Sequence, residues 1–418
     1  MNNLDSGARS EVLTERSSEK AAKRRRRRPE GPSKTAAAGL TSRTVREMVS
    51  QAVDDELHPK LAESVSNAVH GVLEASSLSL ALIGNGLAVA QGLDTKHAVK
   101  QVDRLLSNRN LQLEQLDLPW VRFLLGDRKE VVIALDWTEY AADGHSVIAA
   151  NVVTSHGRAT PLCWKTVKTA DIHDGARNDY EDELLLRLRS AIPDDVDVTI
   201  IADRGFGDAK LYEFLSGERW AYVIRFREAI HVGLAGRAPV AAKTLVPKAG
   251  RARLWKNATV TAKNHPLAGF VAVKAAGMKE AWCLATNRTD LTAAQVVALY
   301  GRRFTIEESF RDAKNPRFGL GLAEVRIRDP HRRDRLIFLA ALAQALLTLL
   351  GAASEATGLD RTLRVNTVKT RTHSLFRQGC MWFALLPNAK EHRRSVLLAK
   401  FEELLRAQPF FRDLFGVL

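Results

Sequence analysis

Cysteine is scarce in this sequence: only Cys163, Cys283 and Cys380 occur among its 418 residues. The three are far apart and odd in number, and none has the close spacing that is typical of a zinc site. This pattern predicts a reduced, intracellular protein whose chemistry uses no thiolate at a metal. The N-terminal part also lacks the apolar stretch of a signal peptide.

Long hydrophobic runs are rare, and the one that stands out extends from Leu336 to Ala353. It contains Gln344, Thr348 and Gly351 as well as many alanines. A buried core helix therefore explains this run better than a membrane span does. Hydrophobic residues make up 45 % of the whole chain, which is enough for a sizeable core, and the length of 418 residues is enough for two or three domains.

Acidic residues are outnumbered, because 62 Lys and Arg face 48 Asp and Glu and leave a net charge of +14. Such an excess indicates a polyanionic partner, either nucleic acid or an anionic membrane. Residues 1–40 are polar and include the run KRRRRR from Lys23 to Arg28, so they are predicted to be a disordered basic tail. The tail is either a solvated segment or a non-specific clamp for phosphates.

Residues 41–118 have helical periodicity and few strand signals. Within TKHAVKQVDRLLSNRNL, one helix face is predicted to be basic because its residues recur every four positions: Lys96, Lys100, Arg104 and Asn108. A helix that lies in the major groove of DNA has such a face. An ordinary solvated helix has one as well, and this stretch alone favours the ordinary reading.

From about residue 130 the pattern changes to β-strands. Three β-rich runs, EVVIALDW, HSVIAANVVTS and ATPLCWKTV, are separated by short turns. A helix at about Asp179–Ala191, a strand in DVTIIADRGFGD, a short helix at about Ala209–Leu215 and the strand WAYVIRF follow. The predicted order is βββ-α-β-α-β. Residues 228–286 are rich in short strands and in Gly and Pro turns, and the chain after Lys314 is predicted to be mostly helical.

The stretch LYGRRFTIEESFRDAK, residues 299–314, predicts one helix with two stripes. The polar stripe has steps of three and four positions and consists of Tyr300, Arg303, Glu307, Arg311 and Lys314. The apolar stripe beside it consists of Leu299, Ile306, Phe310 and Ala313. The helix would hold one carboxylate among groups that suit phosphates or bases, next to a packed face. The neighbouring Glu308 is expected to face solvent.

Two predicted strands end in aspartate: Asp136 follows VVIAL and Asp203 follows DVTIIA. Because the carboxyl ends of strands frame the crevice of an open sheet, the two side chains are expected to lie close together. Glu307, on a helix packed against that sheet, would supply a third carboxylate. Carboxylates are the ligands that hard divalent ions such as Mg²⁺ prefer, and two such ions can support phosphoryl transfer.

These motifs resemble those of one known family, the DDE transposases of the insertion-sequence-four family, the group of the transposon-five and transposon-ten enzymes. The signature of that family is similar to the spacing found here, Tyr300-x2-Arg303-x3-Glu307-x6-Lys314. The stretches DWT at Asp136 and ADRGFGD around Asp203 resemble its two earlier acidic motifs. The order of strands and helices resembles its ribonuclease H-like core over about residues 130–335.

The resemblance implies a role for each of these residues. The catalytic, metal-binding triad would be Asp136, Asp203 and Glu307, with two Mg²⁺ ions for which Mn²⁺ can substitute. The contacts to the DNA end near the cleaved phosphate would be Tyr300, Arg303, Arg311 and Lys314. Trp282 lies where some members have a tryptophan that stacks on a flipped base. The alternative is that Trp282 fills a small core of the β-rich insertion.

The resulting prediction is an α/β protein with a ribonuclease H-like core, a β-rich insertion and helical regions on both sides. Its boundaries are 1–40 for the tail, 41–118 for a DNA-end-binding region, 119–335 for the catalytic domain with its insertion at 228–286, and 336–418 for a helical C-terminal region that pairs protomers. The predicted function is cut-and-paste DNA transposition through a hairpin intermediate, by a homodimer or higher assembly in the bacterial cytoplasm at the nucleoid. The alternatives are another nuclease of this fold and an inactive transposase that only binds DNA.

Overall fold

The computed structural model describes residues 40–53, 56–173 and 175–407. The predicted basic tail therefore lies outside the described residues, apart from Leu40. The helices are α1 (Ser42–Val53), α2 (Pro59–Ala75), α3 (Leu80–Gln91), α4 (Thr95–Leu106), α5 (Asp117–Leu125), α6 (Ala176–Ala191), α7 (Ala209–Gly217), α8 (Ala293–Gly301), α9 (Phe304–Lys314), α10 (Pro330–Ala356), α11 (Leu375–Leu385) and α12 (Glu391–Arg406). The strands are β1 (Glu130–Tyr140), β2 (His145–Val153), β3 (Ala159–Lys168), β4 (Asp197–Ala202), β5 (Ala221–Phe226), β6 (His231–Gly233), β7 (Val240–Ala241), β8 (Arg253–Val260), β9 (His265–Val273) and β10 (Trp282–Thr286).

The ten strands form one mixed sheet in the order β3-β2-β1-β4-β5-β10-β9-β8-β6-β7. The central strands β1, β4 and β5 are parallel, and β2 and β3 continue the sheet as antiparallel hairpins. Their apolar side chains are buried on both faces, which is typical of strands covered by helices. The α/β architecture and the order βββ-α-β-α-β are confirmed.

The predicted insertion, residues 228–286, contains the five strands β6 to β10. These strands extend the central sheet, because β10 pairs with β5 as well as with β9. The insertion is therefore not a separate β-unit with a core of its own. Its last strand begins at Trp282 and brings that residue to the middle of the sheet.

Helix α10 contains the apolar run of Leu336–Ala353 and is the one described helix that is long and apolar enough by itself to cross a membrane. Its apolar window is 89 % buried inside the protein. The α2–α3 pair passes the same test only if the two helices count as one span, and they are bent by 98°. The prediction of a buried core helix is confirmed. Because α10 begins at Pro330, the predicted boundary at 335–336 falls inside a helix.

The prediction of one continuous helix over residues 299–314 is wrong. The chain forms α8, a tight turn at Arg302 and Arg303, and then α9. At the turn, the backbone N–H of Arg303 donates to the carbonyl of Tyr300, three residues back, at 3.0 Å. Gly301, a poor helix former, ends α8 at this point. Tyr300 and Arg303 thus lie outside the helix that carries Glu307.

Asp334, on α10, links that helix to β3 and provides a test of the packing. Its Oδ1 accepts hydrogen bonds from the backbone N–H and the hydroxyl of Thr166, at 2.9 and 2.6 Å. Burial raises the pKa of Asp334 to about 7, although the bonds from Thr166 act in the opposite direction. A raised carboxyl pKa means that the folded state holds the proton more tightly than the unfolded state. Its stabilising contribution is thus complete at low pH and is lost as the pH rises through about 7.

The Asp334→Asn variant should therefore be more stable than the unmodified protein at pH 8, by about 2 kcal/mol. The reason is that the amide keeps an acceptor oxygen for Thr166 but never ionises in the core. Urea unfolding followed by circular dichroism at pH 5 and pH 8 measures the difference. At pH 5 the two proteins should have nearly equal unfolding free energies. A difference that does not change with pH would contradict the assignment.

Candidate active site

Asp136 and Asp203 lie side by side at one edge of the parallel strands. The parallel pairing of β1 with β4 ends where Leu135 lies opposite Ala202, and the two aspartates are the next residue on each strand. Asp136 does not end its strand as predicted, because β1 continues to Tyr140 and pairs with β2. Its edge toward β4 nevertheless becomes free there, and this leaves room for the carboxylates.

Glu307 faces this edge from the first turn of α9, and Arg303 joins it to Asp136. One guanidinium nitrogen of Arg303 lies 3.1 Å from Asp136 Oδ2 and the other lies 2.6 Å from Glu307 Oε1. Arg303 is buried, with 7 % of its surface exposed. The predicted triad is thus gathered at one place, and a side chain predicted to contact DNA forms the ionic link inside it.

The negative charges of the triad act on one another. Burial, opposed by the charge of Arg303 and assisted by the charges of Asp203 and Glu307, raises the pKa of Asp136 to about 6. The backbone N–H of Trp137 donates to Asp136 Oδ1 at 2.9 Å and holds the carboxylate in position. The site therefore favours an added positive charge.

Carboxylate oxygens that repel one another suit a hard divalent cation, which binds oxygen ligands and neutralises their charge. The guanidinium of Arg303 now stands in for such a cation, since it contacts both Asp136 and Glu307. In the part of the chain that the structure describes, no three His, Cys, Asp or Glu residues are close enough together to hold one ion. The residues fit a metal by their chemistry, but Arg303 would have to move before Asp136 and Glu307 could share one.

Lys314, at the end of α9, contacts the far end of β1. Its amine donates to the Thr138 hydroxyl and to the Glu139 carbonyl, each at 2.7 Å, and lies 4.4 Å from the centre of the Tyr140 ring. Burial lowers the pKa of Lys314 to about 8. Lys314 therefore attaches α9 to the sheet and keeps its positive charge near the carboxylates.

Three aromatic rings lie next to the triad. Tyr300 is buried, and its ring meets the Trp282 ring edge-on with the centres 4.8 Å apart. Phe304 lies 6.1 Å from Trp282 and 5.0 Å from the Arg303 guanidinium, and it is 45 % exposed. Trp282 is half-buried against these neighbours. The sequence did not single out Phe304, because only the structure shows that this apolar ring is in solvent.

Glu308 and Arg311 pair on the outer face of α9. The Arg311 guanidinium lies 2.8 Å from Glu308, whose carboxylate also lies 3.6 Å from Arg158 on the sheet side. The expectation that Glu308 simply faces solvent is therefore wrong, since its side chain is 33 % exposed and that of Glu307 is 47 % exposed. Arg311 is exposed and points away from the link that Arg303 makes.

Trp137 and Glu181 form a contact that sequence reasoning missed. The indole N–H of Trp137 donates to Glu181 Oε1 at 2.8 Å, and the Arg177 guanidinium lies 5.2 Å from the indole ring. Burial raises the pKa of Glu181 to about 7, and the charge of Asp203 contributes to the rise. A fourth carboxylate thus lies near the triad. In the sequence it is one of several acidic residues in the first turns of α6, where acidic residues suit any helix.

The predicted basic face lies on α4, at a distance in the chain from the triad. Its three cations Lys96, Lys100 and Arg104 are exposed, and the opposite face of α4 is buried. A short turn with Gly92 in the left-handed conformation connects α3 to α4. This helix–turn–helix arrangement leaves one face of the second helix free for a partner.

The fold and the site together define a ribonuclease H-like core of the DDE class, with carboxylates at the edge of a mixed sheet and helices on both sides. The chain belongs to the family described as the transposase DDE domain, whose model matches residues 127–346, more than half of the sequence. Members of this family are DNA transposases that cleave DNA with divalent metal ions, and the chain is an enzyme of this class.

Among solved structures, the chain is similar to a piggyBac transposase in a synaptic complex with hairpin DNA, determined by cryo-EM. The identity is 10 % and the TM-score 0.42, over 90 % of this chain and 82 % of that one. No curated protein matches the sequence.

Proposed function

We propose that the protein is a cut-and-paste transposase that cuts DNA at terminal inverted repeats and joins the freed ends to target DNA. The observation that supports this best is the adjacency of Asp136 and Asp203 at the end of the β1–β4 pairing, with Glu307 linked to Asp136 through Arg303. A DDE enzyme needs three carboxylates in such an arrangement around a phosphate.

We also infer that the chain belongs to the insertion-sequence-four group. The support is the spacing of Tyr300, Arg303, Glu307 and Lys314, together with a β-rich insertion between β5 and α8. The break between α8 and α9 does not separate these four side chains, since Tyr300 and Arg303 lie directly before α9.

The triad would hold two Mg²⁺ ions, or Mn²⁺ in their place. Bound divalent ions activate a water or a 3′-hydroxyl and stabilise the leaving oxygen of the phosphodiester. Arg303, once it leaves Asp136 and Glu307, reaches the phosphate next to the cut. Lys314, which already lies beside β1, neutralises phosphate charge on the adjoining stretch of the DNA strand. Tyr300 holds the ring of Trp282 in place through their edge-on contact.

The remaining parts of the chain would bind the DNA ends and pair them. Residues 41–118 would recognise the terminal repeat through the face of α4 that carries Lys96, Lys100 and Arg104. Residues 336–418 would pair two protomers, since two ends must be joined at once. The enzyme would work at the nucleoid in a bacterial cytoplasm.

The test is a cleavage and strand-transfer assay with a duplex that carries the inverted repeat found beside the gene. Mg²⁺-dependent nicking at the repeat boundary, followed by joining to a second duplex, is the expected result. Nicking without joining would indicate another nuclease. Binding of the repeat without any cleavage in Mg²⁺ or Mn²⁺ would indicate an inactive DNA-binding protein.

Trp282 and Phe304 are expected to act in the formation of a hairpin. A hairpin bends one strand sharply, so a base must leave the stack at a cost of a few kcal/mol. An aromatic face returns roughly 1–3 kcal/mol by stacking on that base. Trp282→Ala and Phe304→Ala should therefore each slow hairpin formation about tenfold, since 1.4 kcal/mol is a factor of ten. The first nick should keep its rate. Gel analysis of nicked, hairpin and fully cut products over time measures both steps.

Leu186→Ala is the control for this pair, because Leu186 is a large apolar residue that is 57 % exposed on α6 and lies outside the aromatic cluster. It should leave the hairpin rate unchanged. An abasic site at the flipped position should partly rescue the Trp282→Ala variant, since less stacking is then lost. If a folded Trp282→Ala protein forms the hairpin at the normal rate, the role of Trp282 is purely structural.

A further inference from the structure

A basic segment lies between α10 and α12, inside the region that would pair protomers, and its positive charge has no role in the proposed function. Residues 361–390 contain no Asp or Glu, but they contain six Lys and Arg. Two of the six are neutralised locally: Arg364 by Asp360 at 3.1 Å, and Arg371 by Glu355 in a two-pronged contact at 2.7 and 2.5 Å. The segment therefore adds net positive charge to the surface where it packs.

Arg377, in the first turn of α11, meets an exposed ring. Its guanidinium lies 5.5 Å from the centre of the Phe318 ring, and Arg317 lies 5.1 Å from the same ring. Phe318 is 51 % exposed, although Phe is a residue that proteins usually bury. Among the described residues, neither Arg317 nor Arg377 has a carboxylate partner. We name these three side chains the Arg317–Phe318–Arg377 patch.

Two residues of the patch, Arg317 and Phe318, closely follow α9, the helix that carries Glu307. The Asn315 side chain accepts hydrogen bonds from the backbone N–H groups of Arg317 and Phe318, both at 2.8 Å, and fixes the turn that follows α9. The rise of an α-helix is about 1.5 Å per residue, so the seven positions from Glu307 to Lys314 cover about 10 Å. That distance corresponds to about three base pairs of a duplex, at 3.4 Å each.

We propose that the Arg317–Phe318–Arg377 patch is a second binding site for the backbone of duplex DNA, several base pairs away from the cleaved phosphate. This second site rests on the proposed transposase function. The two guanidinium groups are unpaired cations held in place by one ring, so they can contact phosphates at little cost in side-chain order. Phe318 orients both arginines and covers the apolar sugar edge between the two phosphates.

The test compares the salt dependence of binding. A fluorescein-labelled duplex that carries the repeat is titrated with the full-length protein in EDTA at several salt concentrations. The Arg317→Gln/Arg377→Gln variant should reduce the slope of log K against log salt by roughly 0.9 per lost phosphate contact, hence about 1.8 in total. The Arg317→Lys/Arg377→Lys variant should retain most of the slope, because the slope depends on the number of phosphates neutralised by a positive charge and not on the type of cation.

The matched control is Arg122→Gln/Lys129→Gln. It removes two other positive charges next to the amino end of β1, at the sheet edge opposite the carboxylates, where Lys129 pairs with Asp195. The slope of log K against log salt for this control should equal that of the unmodified protein within experimental error. An equal fall in control and patch variants would reduce the effect to net charge and overturn the proposal. Thermal unfolding of each variant shows whether it is folded, and the single variants Arg317→Gln and Arg377→Gln, each with an expected fall in slope of roughly 0.9, keep the test decisive if the double variant is not.

Two DNA segments have the phosphates that the patch requires: the transposon end itself and the target DNA. A lower slope for the end duplex assigns the patch to the end. An unchanged end slope with weaker capture of a labelled target duplex by the cleaved-end complex assigns it to the target. If the variant changes neither the slope for the end duplex nor the capture of target DNA, while the unmodified protein binds and cuts the end, the patch proposal is overturned and the proposed function is not. A protein that neither binds nor cuts the end overturns the proposed function instead.

Discussion

Alanine at Asp136, Asp203 or Glu307 should reduce Mg²⁺-dependent nicking to the background level, while binding of the DNA end stays nearly unchanged. The reason is that the three carboxylates supply the charge that holds divalent ions beside the phosphate, and they contribute nothing to the attraction of DNA. Removal of a negative charge should even tighten binding slightly at low salt. Gel assays of nicking and anisotropy titrations of the same duplex measure the two effects separately.

Glu308→Ala is the matched control for Glu307→Ala. The two glutamates are neighbours on α9, but Glu308 pairs with Arg311 and Arg158 and not with Arg303. The control should retain nicking within a few-fold of the unmodified protein. Residual Mg²⁺-dependent nicking in any one of the three triad variants would remove that residue from the triad. Equal losses in the Glu307 and Glu308 variants would show that α9 is only structurally sensitive.

The adjacency of Asp136 and Asp203 is predictable because it needs only the pattern of the strands. Each aspartate follows an apolar run that is buried on both faces, and parallel neighbours bring their next residues to the same edge. The position of Glu307 is predictable in the same way, since Ile306 directly before it is fully buried and fixes which side of α9 faces the core. Periodicity and burial therefore suffice for the three carboxylates.

The contacts of Arg303 and the role of the insertion are not predictable in this way. In the sequence, Arg303 stands among residue types that bind phosphates, which suggests a free cation. A buried guanidinium instead pairs with the carboxylates that its backbone turn brings within reach. That turn depends on where Gly301 ends α8. In the sequence, the β-rich insertion resembles a small unit of its own. Its place in the central sheet could not be predicted, because the whole sheet determines which strands pair with β10. Trp282 follows from that pairing, since β10 places it against Tyr300.

Arg303→Ala should destabilise the metal-free protein by about 2–3 kcal/mol at neutral pH. Breaking a buried ion pair usually costs about 3–5 kcal/mol, and the half-exposed Glu307 lowers this figure. The loss of Arg303 also raises the pKa of Asp136 above its value of about 6, because its charge opposes the shift. A carboxyl with a raised pKa stabilises the fold at low pH and loses that contribution as the pH rises through the folded pKa. The deficit of the variant should therefore be small at pH 4 and largest at pH 7–8.

Mg²⁺ should reverse the deficit. When the guanidinium is absent, the carboxylates of Asp136 and Glu307 have no cation, so a divalent ion binds them without competition and stabilises the folded state by mass action. The rise in melting temperature on adding Mg²⁺ to the EDTA-treated protein should thus be larger for Arg303→Ala than for the unmodified chain. Arg311→Ala is the control, since that surface pair with Glu308 contributes at most about 1 kcal/mol and should not alter the Mg²⁺ response. If Arg303→Ala melts like the unmodified protein in EDTA and responds equally to Mg²⁺, the guanidinium does not occupy the place of the ion.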